Sequence, residues 1–213
     1  MSEDGVDWKG KRFLRRLGDA LKLRVVTKFC RAQLLLPAFR SWFNPILIHL
    51  RRDPRAIIPS FRRAFDDQWW NSLALEDQFL SVQDGRREFF QPWTDEIRRL
   101  DRKGMVDRLT AYWALTEKHV QEHKSDSGHI SLSYEQLCLE GQSYLADKLS
   151  DQFQNASPQW RLKKNSITTN TVRLETESAK RIDSWKEESD PTTIRTVERV
   201  IDDLGMADLL PSY

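Results

Sequence analysis

Residues 45–60, PILIHLRRDPRAIIPS, read as a buried strand that ends in an arginine and turns at once into a capped helix. Ile46, Leu47, Ile48 and Leu50 make a short, apolar, β-prone run, the pattern of an interior strand covered on both faces. Asp53 then offers an N-cap oxygen, and Pro54 suits the first helical position, where no amide hydrogen bond is needed. Arg52 therefore falls at the carboxyl end of a strand and beside the amino end of a helix, the edge where open α/β sheets take ligands. A guanidinium there can fork onto phosphate oxygens while the helix terminus adds amides and a partial positive charge. Ser60 follows the cap residue by seven positions, roughly 10 Å along the axis at 1.5 Å per residue, so Arg52 and Ser60 could converge on one phosphate. A plainer reading stands beside this one: Asp-Pro after a strand is an ordinary helix start, and Arg52 then pairs with a carboxylate.

The segments around this turn repeat its rhythm. Residues 11–21 read as a basic amphipathic helix with Phe13, Leu14, Leu17 and Leu21 on one face. Residues 23–28 (LRVVTK) read as a strand, residues 31–40 as a helix broken or bent near Pro37, 45–50 as a second strand and 53–65 as a helix. That β, α, β, α order predicts a parallel sheet with right-handed crossovers. Helices are expected over 67–79 and, as one long element, over 94–123; residues 129–134 (HISLSY) alternate like a third strand, and 135–153 resume a helical pattern. Residues 155–171 are polar and read as a loop. Two helices close the chain, 175–187 and, with Asp190 as cap, Pro191 at its start and Gly205 at its end, 192–204.

Composition narrows the function classes. With 213 residues, 39% hydrophobic and 31% charged, the chain can bury one sizeable core and leave much helix surface in water. No run approaches the roughly 20 apolar residues of a membrane span, and the first residues lack the apolar core of a signal peptide, so the expected location is cytoplasmic. Two cysteines, Cys30 and Cys138, are too few and too far apart for a disulfide framework or a zinc site. The net charge of +2 conceals an asymmetry: residues 1–65 hold 15 Lys or Arg against 5 Asp or Glu, and the remainder holds 19 against 27. The basic third contains the RDPR turn and would attract a multiply anionic ligand, whether nucleotide, nucleic acid or acidic headgroup.

Arg52, Asp53, Pro54, Arg55 and Ala56, with Ser60 eight positions after Arg52, resemble the 3′-phosphate-binding motif of sulfotransferases that use PAPS (3′-phosphoadenosine 5′-phosphosulfate). Further along, SYEQL at 133–137 is similar to that family's Y-E-D-L element, whose tyrosine lies beside the adenine. Upstream, VVTKFCRAQLLLPAF resembles the strand that ends in a lysine before an acceptor-side helix. The resemblance covers about residues 20–205. It implies an α/β, P-loop-like three-layer sulfotransferase fold, with a short parallel sheet flanked by helices and truncated at its N-terminus. Residues 1–213 would form a single, partial domain with 1–10 flexible.

The resemblance also assigns roles. It gives Arg52 and Ser60 to the nucleotide 3′-phosphate, Tyr134 to adenine, and Lys28 to neutralising the sulfonate in transfer. Lys163 and Lys164 match, more loosely, the late basic residues that reach the nucleotide. The implied reaction is in-line transfer of a sulfonate from PAPS to a hydroxyl or amine acceptor, without metal. PAPS, its product adenosine 3′,5′-bisphosphate (PAP) and the acceptor would be the partners, rather than nucleic acid.

Two departures limit this. No Gly/Ser/Thr-rich phosphate loop after a strand precedes Leu23, and Cys30 stands where one branch of the family carries a histidine base. The alternative is therefore a catalytically inactive, nucleotide-binding sulfotransferase-like module. Two further readings come from the residues themselves: a nucleic-acid binder, from the basic third, and a metal peptidase, from the H-x-x-E-H pattern of His119, Glu122 and His123. His49 and His129 read as structural residues at strand ends.

Overall fold

A computed structural model describes residues 28–29, 32–64, 73–124, 128–149 and 178–211. The chain divides into two compact units, Met1–Ala32 and Gln33–Tyr213. In the first unit Lys28 and Phe29 are exposed, and the helix expected over 11–21 and the strand body over 23–27 lie outside the described residues.

The second unit is mostly helical around a short parallel sheet, an α/β arrangement in the general sense. A 3₁₀ turn, Gln33–Leu35, leads into α1 (Leu36–Phe43), and Asn44 ends that helix in the left-handed region at φ 43°. Pro37 does not break the helix as expected. It sits in the first turn, where its missing N–H costs nothing. Then come β1 (Leu47–Arg51) and α2 (Pro54–Ala64), followed by α3 (Leu75–Phe79) and α4 (Gly85–Phe90). The single helix expected over 94–123 is two, α5 (Thr94–Asp101) and α6 (Met105–His123). Gly104 takes an extended conformation as the N-cap between them, a change its low helix propensity makes cheap.

Strand β2 (His129–Ser133) opens directly into α7 (Tyr134–Glu140), and Gly141, at φ 62°, separates it from α8 (Gln142–Leu149). The final helices are α9 (Ser178–Glu188) and α10 (Pro191–Asp203). At α10 the Asp190 side chain accepts the Thr192 N–H, Pro191 is in the first turn and Gly205 follows at φ 68°, as the sequence predicts. Residues 65–72, 125–127 and the loop over 155–171, with Lys163 and Lys164, lie outside the described residues, as does Cys30. No helix among the described residues is long and apolar enough to cross a membrane.

Strands β1 and β2 pair in parallel with Leu47 opposite His129 and Arg51 opposite Ser133. Their carboxyl ends are thus level, and the two strand-to-helix turns emerge side by side. The main core packs α2 to α6 and α10 around Phe79, Phe90, Leu100, Leu115, Val197 and Ile201, all without measurable exposure. A second cluster joins Ile130 and Leu132 of β2 to Tyr144, Leu145 and Leu149 of α8.

One expectation for β1 is not met: it is not covered on both faces. Leu47, His49 and Arg51 are half-buried, whereas Ile46, Ile48 and Leu50 are 47%, 50% and 51% exposed. Helix α8 packs against the β2 part of that face, and among the described residues β1 has no second neighbouring strand.

Candidate functional site

The site is built on the two level turns. In the first, Asp53 is buried and caps α2 completely: its Oδ1 accepts the Arg55 N–H at 2.8 Å, and its carbonyl accepts the Ala56 and Ile57 N–H groups at 3.0 Å. Pro54 has no N–H to satisfy. The first amides of α2 are therefore already occupied. An anion at this helix end would meet the dipole and the neighbouring guanidinium rather than a nest of free amides.

In the second turn Ser133 caps α7, its Oγ accepting the Gln136 N–H at 3.2 Å, while the Tyr144 hydroxyl accepts the Ser133 N–H at 2.9 Å. Glu135 ties the two turns together. Its Oε1 accepts the Asp53 N–H at 2.9 Å and its Oε2 accepts the Ser133 hydroxyl proton at 3.0 Å, so both oxygens of this buried carboxylate are used.

The three neighbouring arginines have different fates. Arg55 is consumed by structure: it grips Asp53 at 2.9 Å, reaches Glu198 of α10 and the Pro211 carbonyl at 3.3 Å, and lies 5.0 Å from the Trp185 ring centre. Arg51 turns inward towards Glu117 of α6, 3.9 Å away, and over Trp113. Arg52 stands over the ring of Tyr134, its guanidinium carbon 4.5 Å from the centroid, and among the described residues it has no carboxylate within ion-pair distance. The reading in which Arg52 simply pairs with a carboxylate finds no partner there. A guanidinium lying on an aromatic face keeps its edge donors available for an oxyanion.

Arg52 and Tyr134, 82 positions apart, are thus brought together. Ser60 lies half-buried on α2, two turns from its start and one residue past Pro59, which interrupts the helix hydrogen-bond ladder. Lys28 belongs to the first unit and is exposed. Two residues that hold this geometry escape a reading of the sequence. Glu135 stands in the SYEQL segment, but its partner is far away in the chain; the Ser133 to Gln136 capping-box spacing is the only local signal of the turn it serves. Glu117, buried on α6, accepts from His49 Nε2 at 3.1 Å and fixes that ring beneath the sheet.

His49 and His129 lie on the adjacent strands with ring centres 6.2 Å apart, and burial, together with the charges of His49, Arg40 and Lys124, lowers the His129 pKa. Among the described residues the H-x-x-E-H pattern gains no further ligand. His119 is buried against Phe89 and Phe90, and desolvation, followed by the neighbouring His123, pushes its pKa down to about 4. Glu122 is exposed and pairs with Lys118. Among the described residues no three or more His, Cys, Asp or Glu side chains gather as a metal site would require.

No family model matches the chain, and no curated protein or solved structure is significantly similar to it.

Proposed function

We propose that the chain binds a 3′-phosphorylated adenine nucleotide at the Arg52–Tyr134 pair and acts as a PAPS-dependent sulfotransferase or as a nucleotide-binding module of that kind. The observation that carries this reading is the stacking of Arg52 on Tyr134, at the level carboxyl ends of two parallel strands. The family resemblance assigns these residues to the same nucleotide, and they meet although nothing local in the sequence joins them. The edge is also the one where open parallel sheets take ligands. In this reading the sheet is part of a P-loop-like three-layer fold, Arg52 holds the 3′-phosphate with Ser60, and Tyr134 flanks the adenine. The sulfonate passes to an acceptor hydroxyl or amine to complete the reaction. The occupied amides of α2 leave Arg52 as the main source of affinity.

Titration with adenosine 3′,5′-bisphosphate by calorimetry tests the reading. Saturable binding is expected, with Arg52→Ala raising Kd by about 10- to 100-fold, the equivalent of one or two charge-assisted hydrogen bonds. Absence of binding by the unaltered chain sinks it. Turnover is a separate measurement: binding without sulfonate transfer from PAPS to simple hydroxyl or amine acceptors identifies the inactive module.

A further inference from the structure

The parallel register carries on past the last ladder pair. His129 follows its partner Leu47 by 82 positions and Ser133 follows Arg51 by the same interval, which also separates Arg52 from Tyr134 and Asp53 from Glu135. The first of these further pairs is the cation–aromatic stack, and the second is the buried bond from the Asp53 N–H to Glu135 Oε1 at 2.9 Å. Arg52 and Tyr134 are thus enclosed between the end of the ladder on one side and Glu135 on the other. Beyond Arg51 and Ser133 the ladder stops, and a side chain takes over the fastening that backbone pairing supplies within the sheet.

Glu135 is equipped for this. As the second residue of α7, it leans its side chain back towards the start of its helix, which is the side of the β1 turn. The Ser133 hydroxyl donates to Oε2 at 3.0 Å while accepting the Gln136 N–H, so the carboxylate is steadied from its own turn as it reaches over to the other. Asp53, whose amide it holds, caps α2 and grips Arg55, so fixing that amide fixes the start of the helix. Glu135 and Asp53 are 7% and 2% exposed, which keeps water from competing for the bond. Helix α9 also packs on both α2 and α7, with Trp185 against Arg55, and this keeps the two helices together when Glu135 is changed.

We propose that Glu135 is the positioning residue of the Arg52–Tyr134 site: it sets the separation of the two turns and so holds the guanidinium over the ring before any ligand arrives. Preorganisation of this kind raises affinity by removing the cost of ordering both side chains on binding. The consequence for affinity rests on the nucleotide reading above, whereas the consequence for the stack does not.

Two readouts test the role, the first of them without ligand. The side-chain N–H resonance of Arg52 carries a ring-current shift from Tyr134 in the NMR spectrum, and Tyr134→Leu gives its unstacked position. Glu135→Ala is expected to move that resonance most of the way to the unstacked position. Glu135→Gln, which keeps an oxygen for the Asp53 N–H, is expected to leave it in place. An unmoved resonance in folded Glu135→Ala overturns the proposal, and so does a Glu135→Gln resonance displaced as far as that of Glu135→Ala. If Glu135→Ala does not fold, Glu135→Asp, with its carboxylate one methylene short of the Asp53 N–H, carries the same expectations. The second readout is calorimetric titration with adenosine 3′,5′-bisphosphate under conditions where the variants are folded, so that a merely structural role would leave Kd unchanged. Glu135→Ala is expected to raise Kd by about 10-fold and Glu135→Gln to keep it within about twofold. Binding by Glu135→Ala as tight as that of the unaltered chain overturns the role in affinity. If the unaltered chain takes up no nucleotide, the nucleotide reading falls by itself, and the Arg52 resonance alone decides for or against Glu135.

Discussion

Glu135 accepts the backbone N–H of Asp53 at 2.9 Å, and through that bond the turn after β2 holds the turn after β1. The bond is buried and has no competitor in water. Removing the acceptor strands an amide inside the protein, so Glu135→Ala is expected to cost about 2 kcal/mol, read from the midpoint of a urea melt. Glu135→Gln keeps an oxygen for the Asp53 amide and is expected to cost less. Equal losses for the two variants would show that the negative charge, rather than the bond to Asp53, is what matters.

Asp53→Ala removes the cap of α2 and one partner of Arg55 together. Arg55 retains Glu198 and the Pro211 carbonyl, so its charge is not abandoned. The combined loss of cap and buried pair is expected to be about 2–4 kcal/mol, measured by chemical denaturation. Asp53→Asn keeps a capping oxygen and is expected to fall nearer 1–2 kcal/mol.

Arg52→Ala should behave differently. Its contact with Tyr134 is half-exposed, and such cation–aromatic contacts contribute about 0.5–1 kcal/mol. Thermal unfolding of Arg52→Ala and Tyr134→Leu is therefore expected to shift by a few degrees at most. A large destabilisation in either would mean that the pair is a structural joint, and would remove the reason to read it as a binding surface.

His119 sets a pH dependence of known sign. Its pKa is about 4 in the folded chain, where burial first and His123 second oppose the charged form, and near 6.5 when unfolded. The unfolded chain therefore takes up the proton first. The stabilising contribution is complete above pH 6.5, is lost as pH falls from 6.5 towards 4, and changes no further below that. The loss amounts to about 3 kcal/mol at most. His129, shifted in the same direction by burial, steepens the decline. A His119→Phe variant is expected to flatten the stability profile across that window, and an unchanged slope would exclude His119 as its source.

Gly141 sits at φ 62° and ψ −124°, backbone that only glycine adopts without strain. Gly141→Ala is expected to cost about 1–3 kcal/mol and to loosen α8 from β2, visible as faster exchange of the Leu132 amide. A neutral result would mean that the α7–α8 turn has another accessible geometry.

Local chemistry made much of this legible in the sequence. Asp53-Pro54 and Asp190-Pro191 announce helix starts because a cap followed by a proline satisfies the same orphan groups wherever it occurs, and both strands are bounded to within a few residues. The misplacements came where two effects compete. Gly104 and Gly141 interrupt apolar stripes that continue on either side, so periodicity alone runs the helices together. Pro37 reads as a breaker or as a first-turn residue depending on where the helix begins, which no neighbouring residue declares. Of the candidate site, the residue types are visible in the chain, but the Arg52–Tyr134 stack and the Glu135–Asp53 bond are products of strand register. Arg55 pairs locally with Asp53, but its pairing with Glu198 and that of Arg51 with Glu117 depend on helices more than 60 positions away.

Because β1 and β2 are parallel and level, the candidate site behaves as a vernier on their alignment. A slip of one residue would swing His49 out of reach of Glu117 and turn Ile48 inward. It would also carry Arg52 about 3.3 Å past the Tyr134 ring, most of the width of an aromatic face. Any ligand that requires both Arg52 and Tyr134 therefore selects one alignment of the sheet among its neighbours. The strength of its binding would report, from the surface, how firmly the interior has settled into step.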